Sequence, residues 1–384
     1  MSQAIDKPRK IVFLTATRAD YGKLKPLISI SQADQRFEVS IFVTGMHMLE
    51  KFGHTHFEFD RHGFKNIYRF VNQNVSDDMD QILAKTISGF GDYIKEYKPE
   101  LIVIHGDRVE PLAGAIVGSL NNILTAHIEG GEVSGTIDES IRHAITKLSH
   151  IHFCSNQRAK DRLIQLGEAT DSIYIIGSPD LDAMKPGKMP PMRVVKKHYD
   201  IKFKKYSVLL FHSVTTDLVN LEHQSKIVCE AVLNSGLNYV VIYPNNDRGS
   251  EIILNHYLTL LNRDRFVVVP SMRFEYFLSM LKSSDFIIGN SSAGIIEAPY
   301  FGVPSVNLGS RQHNRSSHSL IENVEIDPQA IDRAIKQVMQ PRTSKKSSQF
   351  GNGDSAIKFR DVLVQSDIWR VSMQKYFVDS SPKV

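Results

Sequence analysis

Between residues 127 and 143 the sequence gathers four carboxylates, two histidines and an arginine around three glycines. Glu129, Glu132, Asp138 and Glu139 are costly beside a core unless they are paired or used. A short apolar run ending at Ala126 reads as a buried strand, which puts Glu129 at its carboxyl end, where open α/β sheets bind ligands. Thr136 followed three residues later by Glu139 is a capping-box pattern. It predicts a helix with Ile137, Ile141, Ile145 and Leu148 as its buried stripe. On that helix Asp138 and Arg142 are four apart and therefore neighbours, and the loop glycines leave room for a ligand to approach. A third acid comes from Ile104-His105-Gly106-Asp107-Arg108, which ends another strand on the same side of the sheet. Taken alone, Asp107 is no more than a cap for the helix near Pro111. With Glu129 and Asp138 it makes three acids from successive strand and helix ends, a set suited to general acid and base chemistry.

Basic and small residues supply a second pattern. Arg18 and Lys23 follow the first strand, where a dinucleotide fingerprint would stand, yet no G-x-G-x-x-G is present, which argues against a hydride-transferring enzyme. Their plainer reading is a solvated loop; the functional one is a clamp on an anionic phosphate. Asn290-Ser291-Ser292-Ala293-Gly294 follows a strand in the second half and leads toward Glu297. Small residues opening a helix expose N–H groups that suit a phosphate, and Glu297 suits sugar hydroxyls. An ordinary serine cap is the plainer alternative. His212, Arg311, His313 and Arg315 add polar or positive groups to the same half.

These residues need a scaffold of parallel strands. Apolar runs at 10–15, 39–43, 101–105, 123–126, 151–154 and 173–176 alternate with helical segments, the pattern of a sheet covered on both faces. A break rich in proline at 178–193 reads as a linker. The pattern then restarts at 207–211, 239–243, 266–269, 286–289 and 305–308. The fold class is therefore α/β, with two Rossmann-like domains. Residues 355–365 look helical, and apolar spacing around Ile368, Trp369, Val371 and Phe377 predicts a last docking helix. At 384 residues the chain is long enough for two domains. A composition 42% hydrophobic and 23% charged is that of a globular protein. No run reaches membrane-spanning length and the first ten residues lack an apolar signal core, so a cytoplasmic protein with no membrane partner is expected. A net charge of only +4 argues against a nucleic-acid partner. The two cysteines, Cys154 and Cys229, lack metal or redox spacing and read as buried thiols. The Gly-Asp of residues 106–107 is also an element of metal-dependent phosphatases, but the accompanying Asp-x-His and Gly-Asn-His motifs are missing, so no metal is expected.

Several longer motifs carry a resemblance. Thr17-Arg18-Ala19-Asp20-Tyr21-Gly22-Lys23-Leu24-Lys25-Pro26-Leu27, Val43-Thr44-Gly45-Met46-His47, Ile104-His105-Gly106-Asp107-Arg108 and the stretch 127–143 resemble the hydrolysing UDP-N-acetylglucosamine 2-epimerases of bacterial sialic acid biosynthesis. So do Ile176-Gly177-Ser178-Pro179-Asp180, Tyr243-Pro244-Asn245-Asn246-Asp247 and Gly289-Asn290-Ser291-Ser292-Ala293-Gly294. The resemblance implies the GT-B architecture, two Rossmann-like domains with parallel sheets facing across a cleft. It implies domains at 1–181 and 182–365, and a helix within 366–384 that crosses back to the first. It implies catalytic roles for Asp107, Glu129 and Asp138. Substrate binding falls to Arg18, Lys23, Arg142, His212, Ser291, Ser292, Gly294, Glu297, Arg311 and Arg315, with Phe274 and Phe277 on the uracil. The implied partner is a nucleotide sugar, with no cofactor, in a homodimer or homotetramer serving capsule polysaccharide synthesis. A relative acting on UDP-2,4-diacetamido-2,4,6-trideoxyglucose, a non-hydrolysing epimerase and a catalytically dead nucleotide-sugar sensor are the competing expectations.

Overall fold

A computed structural model of the chain describes residues 7–379 apart from 75, 186, 246, 262 and 341–344. Asn246 and part of the proline-rich linker thus lie outside the described residues. The chain divides into two compact units. The first comprises residues up to Glu132, Asp138–Ala183 and residues from Phe350 onward; the second comprises Val133–Ile137 and Met184–Gln349.

The first unit is a seven-stranded parallel sheet: β1 (Arg9–Thr15), β2 (Phe37–Val43), β3 (Ile67–Arg69), β4 (Leu101–His105), β5 (Leu124–Ile128), β6 (Ile151–Cys154) and β7 (Ile173–Ile175). Its order, β3-β2-β1-β4-β5-β6-β7, reverses between β1 and β4. The second unit repeats the plan with six strands: β8 (Ser207–Leu210), β9 (Tyr239–Ile242), β10 (Phe266–Val269), β11 (Ile287–Gly289), β12 (Ser305–Leu308) and β13 (Ile321–Val324). Its order is β10-β9-β8-β11-β12-β13, with the reversal between β8 and β11. All pairings are parallel. Each unit is doubly wound, and in such sheets the reversal opens a crevice at the carboxyl ends of the two diverging strands. Two strands, β3 and β13, are additions to the sequence reading. Both are edge strands, and both mix exposed or half-exposed positions into short runs, which hides them from a search for continuous apolar segments.

The domain boundaries also need correction. The first division falls after Ala183, not 181, and the return comes at Phe350, well before 366. The helix Ser355–Leu363, which falls inside the expected second domain at 182–365, belongs to the first unit. Its Phe359 is fully buried in the first unit's core beside Phe13 and Phe153, with ring centroids 6.2 and 4.8 Å away. Asp182 caps it from a distance, accepting the Ser355 and Ala356 amides at 2.9 and 2.8 Å. Among the described residues after it there is a 3-10 turn, Asp367–Arg370, and no further helix. Trp369 supports that turn by donating to the Leu363 carbonyl at 2.8 Å. Cys154 and Cys229 are buried, and burial pushes both thiols up to about 12, as inert core residues should behave. Among the described residues no helix is long and apolar enough to cross a membrane.

Candidate active site

The first unit brings its acids together at the ends of neighbouring strands. β4 and β5 pair so that His105 faces Ile128. Asp107 and Glu129 therefore leave adjacent strand ends two residues and one residue later, respectively. Glu129 has a left-handed backbone, φ 65°, a conformation costly for a residue with a Cβ and one that marks functional turns. Its carboxylate is buried and surrounded by donors: Lys23 Nζ at 2.8 Å, a His105 ring nitrogen at 3.0 Å and the Ser178 hydroxyl. Burial alone would push this carboxyl up; Lys23 and then His105 outweigh it and hold it well below the usual carboxylate range. Lys23 also meets the fully buried Asp180 at 3.0 Å.

The other two acids are organised by Arg142. The helix Ile137–Leu148 begins where expected and buries Ile141 and Ile145, but Ile137 is 40% exposed and drops out of the predicted stripe. Arg142, buried one turn after Asp138, donates to the Asp107 carboxylate and, at 3.2 Å, to the Glu132 carbonyl. Burial works against its charge, and Asp107, Glu132 and Asp138 together more than compensate. Arg142, expected on substrate, is in this structure the counterion of Asp107, with Asp138 also favouring its charge. The turn carrying Asp107 is pinned from behind by His127, whose ring contacts the Gly106 carbonyl at 2.8 Å and Thr146 Oγ1 at 3.1 Å. Burial drives this histidine down to about 3, with the Gly106 contact opposing, so the ring is neutral. Glu132 is buried and accepts from the Ser155 hydroxyl. Loop glycines expected to admit a ligand are instead packed on protein. A Cβ on Gly131 would lie 2.3 Å from the Ala159 carbonyl oxygen, and one on Gly135 would lie 2.2 Å from that of Ser310.

At the end of β1, Thr17 caps the helix Arg18–Gln32 and Asp20 completes a capping box. Asp20 accepts the Ala16 and Thr17 amides and the Thr15 hydroxyl, which shapes the turn holding Arg18. Arg18 pairs with Glu58 at 3.1 Å.

The second unit gathers its candidates at the β8/β11 reversal, and mostly through neutral groups. Asn290 clasps His212 by two backbone bonds, accepting its N–H at 2.7 Å and donating to its carbonyl at 2.8 Å. The Asn245 amide donates to His212 Nδ1 at 3.0 Å, so the neutral ring carries its proton on Nε2. Arg311 and Gln312 both donate to the Asn290 carbonyl at 3.1 Å, and Arg315 donates to the Gln312 side chain at 2.8 Å. Gly135 joins this unit by donating to the Arg311 carbonyl at 2.9 Å. The serine segment is not the single helix expected. It forms a 3-10 turn, Ser292–Gly294, followed by a five-residue helix, Glu297–Phe301. Ser291 accepts the Ala293 amide, and the Gly294, Ile295 and Ile296 amides bond back to Ser291 and Ser292. Local bonding therefore occupies the Ala293, Gly294, Ile295 and Ile296 N–H groups. A Cβ on Gly289 would lie 2.0 Å from the Leu210 carbonyl oxygen, so only glycine lets β11 turn here. Glu297 is buried. Of the aromatic pair, Phe277 is buried and Phe274 half-buried at the start of the helix Phe274–Lys282.

Sequence reasoning missed His105, Ser178 and Asp180 as partners of the acids. All three stand in motifs that carried the resemblance, but nothing in their spacing announces contacts with residues 23 and 129. Among the described residues no group of three or more His, Cys, Asp or Glu is arranged to hold a metal ion.

Comparison with known proteins agrees with this architecture. A family profile described as UDP-N-acetylglucosamine 2-epimerase matches residues 30–364. The UDP-N-acetylglucosamine 2-epimerase of Neisseria meningitidis serogroup B is 43% identical over 97% of this chain and 99% of its own length. The UDP-N,N'-diacetylbacillosamine 2-epimerase (hydrolyzing) of Legionella pneumophila is 32% identical over 92% of this chain and 95% of its own. In three dimensions, a Neisseria meningitidis UDP-GlcNAc 2-epimerase crystallised with UDP-GlcNAc superposes with a TM-score of 0.77 at 17% identity, covering 92% of this chain and 99% of that one.

Proposed function

This chain belongs to the UDP-N-acetylglucosamine 2-epimerase family, and from that premise we propose that it is a hydrolysing 2-epimerase of sialic acid biosynthesis. In this reading UDP-N-acetylglucosamine and water give N-acetylmannosamine and UDP. The observation that carries it is the pair of charge-compensated clusters at the ends of β4 and β5, Glu129 with Lys23 and His105, and Asp107 with Arg142.

The C2 proton of the sugar is not acidic, because no carbonyl flanks that carbon in the ring. The C1–O bond to UDP must therefore break first or nearly so. That leaves oxocarbenium character at C1, which a nearby carboxylate stabilises, as in glycoside hydrolysis. A base then takes the C2 proton and 2-acetamidoglucal forms. Protonation of the glycal at C2 from the opposite face, with water adding at C1, inverts C2 and completes the reaction. Two proton transfers on two faces call for more than one acid or base. In our assignment Asp107 shares in elimination, and Glu129 and Asp138 serve mainly hydration. Lys23, expected on the diphosphate, also pairs with Glu129 and favours its charged form. The second unit holds the nucleotide, with His212, Ser291, Ser292, Gly294, Glu297, Arg311 and Arg315 toward the UDP and Phe274 and Phe277 toward uracil. His212, as an Nε2–H donor, suits a departing diphosphate oxygen. No step requires a metal or redox cofactor.

Feeding 2-acetamidoglucal to single variants tests the assignment. Glu129→Gln and Asp138→Asn lose hydration of the glycal, whereas Asp107→Asn retains more of it. Hydration by Glu129→Gln at the parent rate contradicts the assignment. The name of the Legionella relative favours a second reading, a 2,4-diacetamido sugar as substrate; assays of both sugars side by side decide between them.

A further inference from the structure

The helix that carries Asp138 and Arg142 ends in an unusual way. Its last carbonyls have no partner within the helix, and no glycine follows to turn the chain back over them. The Ser149 amide reaches back to the Ile145 and Thr146 carbonyls at 2.9 and 3.2 Å, and the rest of the closure comes from outside. Lys375 Nζ donates to the carbonyls of Thr146 at 3.1 Å, Lys147 at 3.0 Å and Ser149, and pairs with Glu168 at 2.6 Å. Glu168 is itself 2% exposed and also takes Lys147 at 2.8 Å and His152 at 2.9 Å. The segment bearing Lys375 has little apolar anchorage, since Tyr376 is 75% and Phe377 67% exposed. What else holds it is mainly polar. The Met373 carbonyl meets a His150 ring nitrogen at 3.2 Å and the Val378 amide donates to Gly167 at 3.2 Å. The Phe377 ring lies against Gly167 with Lys147 5.3 Å from its centroid.

The same turn of helix faces the acids. Thr146, whose carbonyl takes Lys375, offers its hydroxyl to His127, and His127 holds the Gly106 carbonyl next to Asp107. A continuous path of hydrogen bonds thus runs from residue 375 to the Asp107 turn. A second, through the rigid rise of the helix, runs to Arg142 and Asp138. We propose that Lys375 is a positioning residue, an ammonium inserted from the tail that closes the Ile137–Leu148 helix and so fixes the poses of Asp107, Asp138 and Arg142. This rests on the reading of those residues as epimerase machinery. Charge at a helix C-terminus complements its dipole, and four oxygens around one ammonium specify its place.

The test uses the full chain with Lys375→Met and Lys375→Arg, combining kinetics on UDP-N-acetylglucosamine with amide hydrogen exchange. Lys375→Met is expected to lower kcat about tenfold with KM within twofold, and to speed exchange at residues 145–150 at least tenfold while β8–β12 stay protected. Lys375→Arg, which keeps the charge, recovers most of both. Lys375→Ala is expected to regain part of its kcat in ammonium chloride and not in sodium chloride at equal ionic strength. Parent-like kcat in Lys375→Met overturns the proposal even if exchange rises, because the clasp is then structural only. Loosened exchange in both units also overturns it, as general destabilisation. If the parent releases no UDP from UDP-N-acetylglucosamine, the functional reading fails, and unchanged or increased exchange at 145–150 still decides whether the clasp holds the helix.

Discussion

The two units place their candidate residues at equivalent points of the same topology yet build them from opposite materials. At the β1/β4 reversal the first unit uses charge against charge: Lys23 with Glu129 and Asp180, Arg142 with Asp107. At the β8/β11 reversal the second unit uses neutral amides and carbonyls around Asn290 and His212, with Arg311 and Arg315 bonded to protein oxygens. Buried charge is strong only while every partner is present, and removing one leaves the rest uncompensated. Neutral contacts fail more gently. The first unit should therefore respond to substitution in both rate and stability, and the second mainly in binding.

The largest effect is expected from the acids. Asp107→Asn or Glu129→Gln should lower kcat for UDP-N-acetylglucosamine by about 10³-fold, the scale of losing one well-placed electrostatic group; a loss under tenfold would remove that residue from the chemistry. Next comes Lys23→Met, which strands Glu129 and Asp180. It should cost on the order of 3 kcal/mol in urea unfolding as well as lowering kcat. A pure KM effect with unchanged stability would return Lys23 to the phosphate role. Asn290→Ala, in the second unit, should cost about 2 kcal/mol or less and raise KM more than it lowers kcat.

A further effect lies in the pH dependence of stability. His127 has a folded value near 3, below its ordinary 6.5, so the unfolded chain binds more protons between these values. Its contribution to stability is therefore complete above pH 6.5 and is lost as pH falls toward 3. Glu168, lowered from 4.5 to about 2 despite burial because His152, Lys375 and Lys147 outweigh it, adds loss only below pH 4.5. Between pH 6.5 and 4.5, His127→Gln should flatten the stability curve by about one proton, roughly 1.4 kcal/mol per pH unit. A slope equal to the parent's would contradict the neutral ring.

The same contrast explains what could be read in advance. Strands with continuous apolar runs were legible, and the edge strands Ile67–Arg69 and Ile321–Val324 were not, because one-sided pairing permits polar residues. The acids stood out by type, since buried carboxylates need a reason. Their partners did not: Lys23 lies 106 residues from Glu129, Ser178 lies 49 and His105 lies 24. Only strand order brings them together. The shape of the serine segment was not legible either, because small polar residues build a 3-10 turn as readily as a helix start.

The most direct test of the account is a nuclear magnetic resonance time course in deuterated water with UDP-N-acetylglucosamine. It predicts free N-acetylmannosamine and UDP in equal amounts, with one deuterium at C2 and 2-acetamidoglucal as a transient. UDP-N-acetylmannosamine as the product, or free sugar with its C2 hydrogen retained, would contradict it.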